Sequence, residues 1–178
     1  MYAFSHYELE PDVVLLGKGL GNGVPVSAAV GRSDVFESLG YGEASDTWSA
    51  NPLSSAAVVA TLDEFETTNT LQKGSHLAGI IETGLIRLKE TGAISKVRGE
   101  GCVWGIECAD IGERKGAVIA NQIIEECYLG KDGALAIHLL GALAGKVLRI
   151  SPPLTMCPDE CKAYLDRLYE VCQQVAAR

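Results

Sequence analysis

One lysine stands apart by its neighbours. Lys18 lies in Gly17-Lys18-Gly19-Leu20-Gly21-Asn22-Gly23, directly after the apolar run Val13-Val14-Leu15-Leu16. Two nucleotide-binding readings fail on spacing. The dinucleotide fingerprint needs glycine at its first, third and sixth places. Counted from Gly17 the sixth residue is Asn22, and from Gly19 it is Val24. The phosphate loop needs a glycine five residues before the Gly-Lys pair and Ser or Thr after the lysine; Asp12 and Gly19 stand there. What remains is an amine at the C-terminal end of a strand, where α/β proteins place their chemistry. Flanking glycines let a flat cofactor approach the backbone. An amine partly withdrawn from water releases its proton more readily and attacks carbonyl carbon. Spacing alone leaves open the commoner alternative, a solvated lysine in a surface loop.

Other reactive residues form no comparable pattern. His6, His76 and His138 are widely separated, with no triad or metal spacing, and read as packing or surface residues. The six cysteines, at 102, 108, 127, 157, 161 and 172, sit in apolar segments and read as buried, reduced thiols. Cys157 and Cys161 could share a helix face, but a zinc site would have to draw on Cys172 and the distant His138. Close-paired ligand spacings are absent, so no metal is expected.

The elements that would position these residues follow from composition and periodicity. Of 178 residues, 47% are hydrophobic and 21% charged, a globular balance that argues against a disordered or fibrous chain. Fifteen basic against 23 acidic residues give a net charge of −8, which repels phosphate backbones and disfavours nucleic acid as a partner. No apolar run approaches the ~18–20 residues of a membrane span. The first residues lack a basic and an apolar signal region, so the expected compartment is the cytoplasm.

Val13–Leu16 reads as a strand buried on both faces, hence part of a parallel sheet. Val26–Val30 reads as a second strand, and residues 33–45 as a polar excursion. Asn51-Pro52 reads as a helix entrance before an Ala-rich helix over 54–65. A longer helix over 71–90 carries Leu77, Ile80, Ile81, Gly84, Leu85 and Leu88 at helical spacing, and Gly92 closes it. Strands are expected at 103–108, 135–139 and 147–151, and helices at 116–128 and from Pro158, the last with Leu165, Leu168, Cys172 and Val175 on one face. Residues 1–70 thus read as a piece of an α/β sheet, and 71–178 as a compact α+β unit.

Three segments carry a resemblance. Residues 11–28, around Lys18, closely resemble the cofactor-lysine signature of class III (ω-type) aminotransferases, which are fold-type I pyridoxal-phosphate enzymes. Asp46-Thr47-Trp48-Ser49-Ala50-Asn51-Pro52-Leu53 is similar to the family's Thr-aromatic-small-small-Asn-Pro stretch. Val147-Leu148-Arg149-Ile150-Ser151-Pro152-Pro153-Leu154 is similar to its arginine-bearing strand before a Pro-Pro-Leu turn. Residues 97–107 also fit the family's small domain.

The resemblance implies a fold-type I α/β architecture, with 1–70 the C-terminal part of the large pyridoxal-phosphate domain and 71–178 the small C-terminal domain. It implies transfer of an amino group from an amine or amino acid to a 2-oxo acid. Lys18 would hold pyridoxal 5'-phosphate as a Schiff base and shuttle the substrate proton. Thr47 would bind the cofactor phosphate of a neighbouring subunit, making a homodimer or higher oligomer, with Trp48 at the dimer contact. Arg149 would pair a substrate carboxylate; a structural salt bridge is the other reading of that residue. Arg98 would hold a turn of the small domain.

Other family parts are not found in the sequence: the acidic residue that faces the pyridine nitrogen, the loop capping the phosphate and the aromatic that stacks on the ring. The chain is therefore expected to be inactive by itself. It reads as a fragment of such an enzyme, as one half of a split enzyme, or as a non-catalytic dimerisation module.

Overall fold

The computed structural model describes residues 1–130 and 133–178. The chain divides into two compact units, Met1–Leu71 and Gln72–Arg178.

The first unit contains α1 (Ala3–His6), β1 (Val13–Leu16), β2 (Ala28–Gly31), α2 (Ser33–Phe36) and α3 (Pro52–Thr67). β1 and β2 pair antiparallel, Val13 opposite Gly31 and Leu16 opposite Ala28. This corrects the expectation of a parallel sheet. The connection over residues 17–27 holds no crossover helix and is shorter than the dozen or more residues a parallel return needs, so the chain reverses directly. Nor is the β1 run buried on both faces: Leu15 is 80% exposed and Val13 39%. Arg32, just past β2, clamps the open end of the ribbon through Asp12 at 3.0 Å and through Asp34. α3 opens at the expected Asn51-Pro52 entrance: Asn51 caps it and Pro52 stands in its first turn. No residue of β1, β2, α2 or α3 is buried.

The second unit has the core. α4 (Thr70–Arg87), all but its first two residues in this unit, ends in a 3-10 turn (Leu88–Thr91) closed by Gly92 at φ +77°. β3 (Ile94–Glu100), β4 (Val103–Cys108) and β5 (Val147–Ile150) form an antiparallel sheet in the order β3-β4-β5. α5 (Gly116–Leu129) and α6 (Pro158–Ala176) complete it. Leu77, Ile81 and Leu85 of α4, Ile106 and Leu148 of the sheet, and Ile119 and Ile123 of α5 are at most 1% exposed. On α6, Leu165, Leu168, Cys172 and Val175 are all buried, the stripe expected from helical spacing.

Two details depart from the sequence reading. Leu135–Leu139 is not a strand: Ile137 N–H donates to the Cys127 carbonyl at 2.7 Å near the end of α5, and Leu139 is buried without a ladder partner. A short apolar run can bury itself in either way. Cys157 is exposed at the N-cap of α6, whereas the other five cysteines are buried and free. Among the described residues no helix is long and apolar enough to cross a membrane.

Candidate active site

Lys18 opens a one-turn 3-10 segment, Lys18–Leu20, directly after β1. Its φ is +49°, a left-handed conformation that costs an ordinary residue about 1–2 kcal/mol. The turn is held by Leu20 N–H to Gly17 O at 3.1 Å and Gly21 N–H to Lys18 O at 3.3 Å. Gly21 is irreplaceable here on steric grounds. A Cβ on it would sit 2.2 Å from the Val24 carbonyl oxygen and 2.5 Å from Val26 Cγ1. The loop thereby folds back on itself and leaves Lys18 exposed at a cleft of about 940 Å³. Ser27, Asp46, Trp48, Ser49 and Ser54 share its walls.

The 46–51 segment reaches that cleft through a chain of local hydrogen bonds. The Asp46 carboxylate accepts the Trp48 N–H at 2.7 Å, and the Asp46 N–H donates to Ser49 Oγ at 3.2 Å. The Trp48 N–H first, and Ser49 second, hold the Asp46 carboxyl below its usual range. Asn51 Oδ1 accepts the Ser54 N–H at 2.9 Å while its Nδ2 donates to the Trp48 carbonyl at 3.0 Å. Thr47 stands exposed in the middle of this turn but does not line the Lys18 cleft.

Arg149 lies in the second unit, exposed on β5. It lines a separate cleft of about 550 Å³ together with His138, Ser151 and Tyr164. Among the described residues no carboxylate pairs with its guanidinium. Arg98, by contrast, donates to Glu107 Oε2 at 3.2 Å across β3 and β4. His138, read from the sequence as a packing or surface residue, also meets the Tyr128 ring edge-on at 5.9 Å. Nothing in its sequence neighbourhood signals the cleft, because the segment that brings it there is irregular.

The chain as a whole resembles solved transaminases. Ornithine aminotransferase from Toxoplasma gondii superposes on 97% of this chain with a TM-score of 0.84 at 26% identity, over 39% of its own length. The family model described as aminotransferase class-III matches residues 1–172, and the chain belongs to that family. Members of the family are pyridoxal-phosphate enzymes of fold type I. Acetylornithine aminotransferase from Methanocaldococcus jannaschii is 30% identical over 98% of this chain and 41% of its own. A leucine/methionine racemase from Thermococcus litoralis is 32% identical over 94% of this chain and 37% of its own. The chain thus spans about two-fifths of the length of these relatives.

Proposed function

We propose that this chain supplies the lysine-bearing part of a pyridoxal-phosphate-dependent aminotransferase that moves an amino group from an amine or amino acid to a 2-oxo acid. The observation that carries the reading is Lys18, an exposed amine on a strained glycine turn at a cleft of about 940 Å³. In this reading residues 1–70 belong to the large cofactor domain and 71–178 form the small domain.

The cleft's own donors fit two ends of the cofactor. Lys18 offers a primary amine to an aldehyde, and Ser27, Ser49, Ser54 and Ser55 offer hydroxyls to a phosphate. They do not supply a carboxylate for the ring nitrogen, because Asp46, the acid of this cleft, is already engaged by the Trp48 N–H. When bound, the cofactor takes up the electron pair left on the substrate carbon. Lys18 Nζ would hold the cofactor through its aldehyde carbon and, once freed by a substrate amine, would move a proton between the substrate carbon and that aldehyde-derived carbon. Thr47, exposed in its turn and off its own cleft, suits a phosphate held by a neighbouring subunit. Arg149 binds the substrate carboxylate through its planar fork.

The exposed apolar residues of the first unit, Leu15, Val30, Leu53 and Val59 among them, support a homodimer or larger assembly and a need for further parts of the family fold. Donors of the ornithine, 4-aminobutyrate and diaminobutyrate type all agree with this reading.

The test is an absorbance spectrum of the chain with added pyridoxal phosphate, followed by borohydride reduction and peptide mapping. Reduction is expected to label Lys18, and Lys18→Ala to lose that label. Preferential labelling of another lysine, such as Lys73, overturns the assignment.

A further inference from the structure

Asp46 brings a negative charge into a cleft whose other polar lining is rich in hydroxyls. Ser27, Ser49, Ser54 and Ser55 line the Lys18 cleft, and among the described residues its charged lining is Lys18 and Asp46. The acid is fixed where it stands. Its Oδ1 accepts the Trp48 N–H at 2.7 Å, and the Asp46 N–H donates to Ser49 Oγ at 3.2 Å. Asp46 also directly precedes Thr47 in the chain. Two hydroxyls suit a phosphate: Ser49 within the cleft, and Thr47 toward a neighbouring subunit. One is hydrogen-bonded to Asp46 and the other is its chain neighbour. An aspartate at an exposed position is ionised at neutral pH.

We infer that Asp46 is a specificity-determining residue that lowers the affinity of this segment for a phosphate group, so that Lys18 discriminates only weakly between pyridoxal phosphate and the unphosphorylated aldehyde. The inference rests on the aminotransferase reading for its cofactor, but its effect on phosphate stands apart from that reading. A phosphate group carries a charge of about −1.5 to −2 at pH 7. An ionised carboxylate accepts hydrogen bonds and has none to donate, so it offers the phosphate nothing but repulsion. For two unit charges a few ångströms apart in water, that repulsion is worth about fivefold in a binding constant. Salt screens it at an exposed position. Lys18 does not offset it, because its amine is spent on the aldehyde carbon. The hydroxyls of this segment therefore hold a phosphate less tightly than their number suggests.

Two substitutions separate charge from shape. Asp46→Asn keeps an oxygen to accept the Trp48 N–H and removes the charge; Asp46→Glu keeps the charge. Asp46 is exposed, so neither change threatens folding. Inorganic phosphate is titrated into the cofactor-free chain, with the backbone amide signals of Thr47, Ser49 and Ser54 as reporters. At low salt the midpoint for Asp46→Asn should fall about fivefold below that of the unaltered chain, and the difference should shrink as salt is raised. Asp46→Glu should stay near the unaltered chain.

Capture by Lys18 supplies the second arm. Pyridoxal phosphate and pyridoxal are each reduced onto the chain with borohydride at limiting aldehyde. Asp46→Asn should raise labelling of Lys18 by pyridoxal phosphate about fivefold and leave labelling by pyridoxal unchanged. Each aldehyde is compared with itself between variants, so their different intrinsic reactivities cancel. Equal phosphate midpoints for the unaltered chain and Asp46→Asn, no phosphate response in either, or an equal gain for both aldehydes would each overturn the inference. The expected phosphate result with no labelling of Lys18 by either aldehyde would leave the effect of Asp46 on phosphate standing and count against the aminotransferase reading.

Discussion

Glu107 Oε1 accepts a hydrogen bond from Lys146 Nζ at 2.8 Å, while its other oxygen takes one from Arg98 Nη1 at 3.2 Å. A single carboxylate on β4 is thereby tied to β3 and to the residue that leads into β5. Both bonds favour the ionised acid. Lys146 is the larger cause and Arg98 the smaller, and together they hold Glu107 below its ordinary 4.5. The same bond holds Lys146 above its ordinary 10.5.

The pH dependence follows from the two directions. A depressed acid contributes stability that is present above 4.5 and lost as pH falls through its lower folded value. A raised lysine contributes stability that is present below 10.5 and lost as pH rises through its higher folded value. Glu107→Gln should therefore lower Tm relative to the unaltered chain between the ordinary 4.5 of the acid and the ordinary 10.5 of the lysine, with the gap narrowing as pH falls below 4.5. Thermal melts over that range check it, and a gap that persists unchanged at acid pH would show that the ion pair is not its source.

Asn51 offers a prediction on the other unit. Its oxygen caps α3 at the Ser54 N–H, and no residue of α3 is buried, so packing within the chain does not mask the cap. Asn51→Ala should cost the helix about 1 kcal/mol, and Asn51→Asp far less. Amide exchange at Ser54 reads it directly, with roughly fivefold faster exchange expected for the alanine variant.

The thiols differ sharply in surroundings. Burial pushes Cys108 and Cys127 up to about 12 and Cys172 further still. A reagent that attacks thiolate should find almost none at these positions. Cys157, exposed at the start of α6, should give one rapidly reacting thiol per native chain, with all six reacting after denaturation. Three or more fast thiols would contradict the packing of α6.

Where the sequence was informative, one physical pattern dominated. Helical spacing identified the buried stripe of α6, and alternation identified β4, whose residues alternate buried and less buried from Val103 to Cys108. The Asn51-Pro52 pair announced the start of α3 because capping is local. Strand pairing is not local. Val13–Leu16 looked like a strand buried on both faces, yet its direction and burial depended on the returning loop and on neighbours the four residues do not specify. Leu135–Leu139 had the apolarity of a strand, but the backbone bond of Ile137 went to the end of α5. At the candidate site, the glycine loop pointed to Lys18, whereas its left-handed backbone and the approach of His138 to the Arg149 cleft arise from folded geometry.

Two glycines of α4 should respond oppositely to the same substitution. Both pay the usual conformational penalty of glycine in a helix, so alanine offers each a gain of about 0.8–1 kcal/mol. At Gly79, on the exposed face, a new Cβ meets nothing within 4 Å, and the gain stands alone. At Gly84 the Cβ would lie 2.7 Å from Leu165 Cδ1 and 3.1 Å from Leu165 Cβ. Rotating the Leu165 side chain relieves the first contact but not the second, because Leu165 Cβ is fixed to the α6 backbone. Overpacking of this kind costs about 1–3 kcal/mol, which exceeds the propensity gain over most of its range. Gly79→Ala should therefore raise stability by about 1 kcal/mol, and Gly84→Ala should lower it by up to about 2 kcal/mol. Denaturant unfolding of the two variants measures both signs with unchanged m-values. A stabilising Gly84→Ala would mean that α4 and α6 pack less closely than the 3.1 Å approach to Leu165 requires.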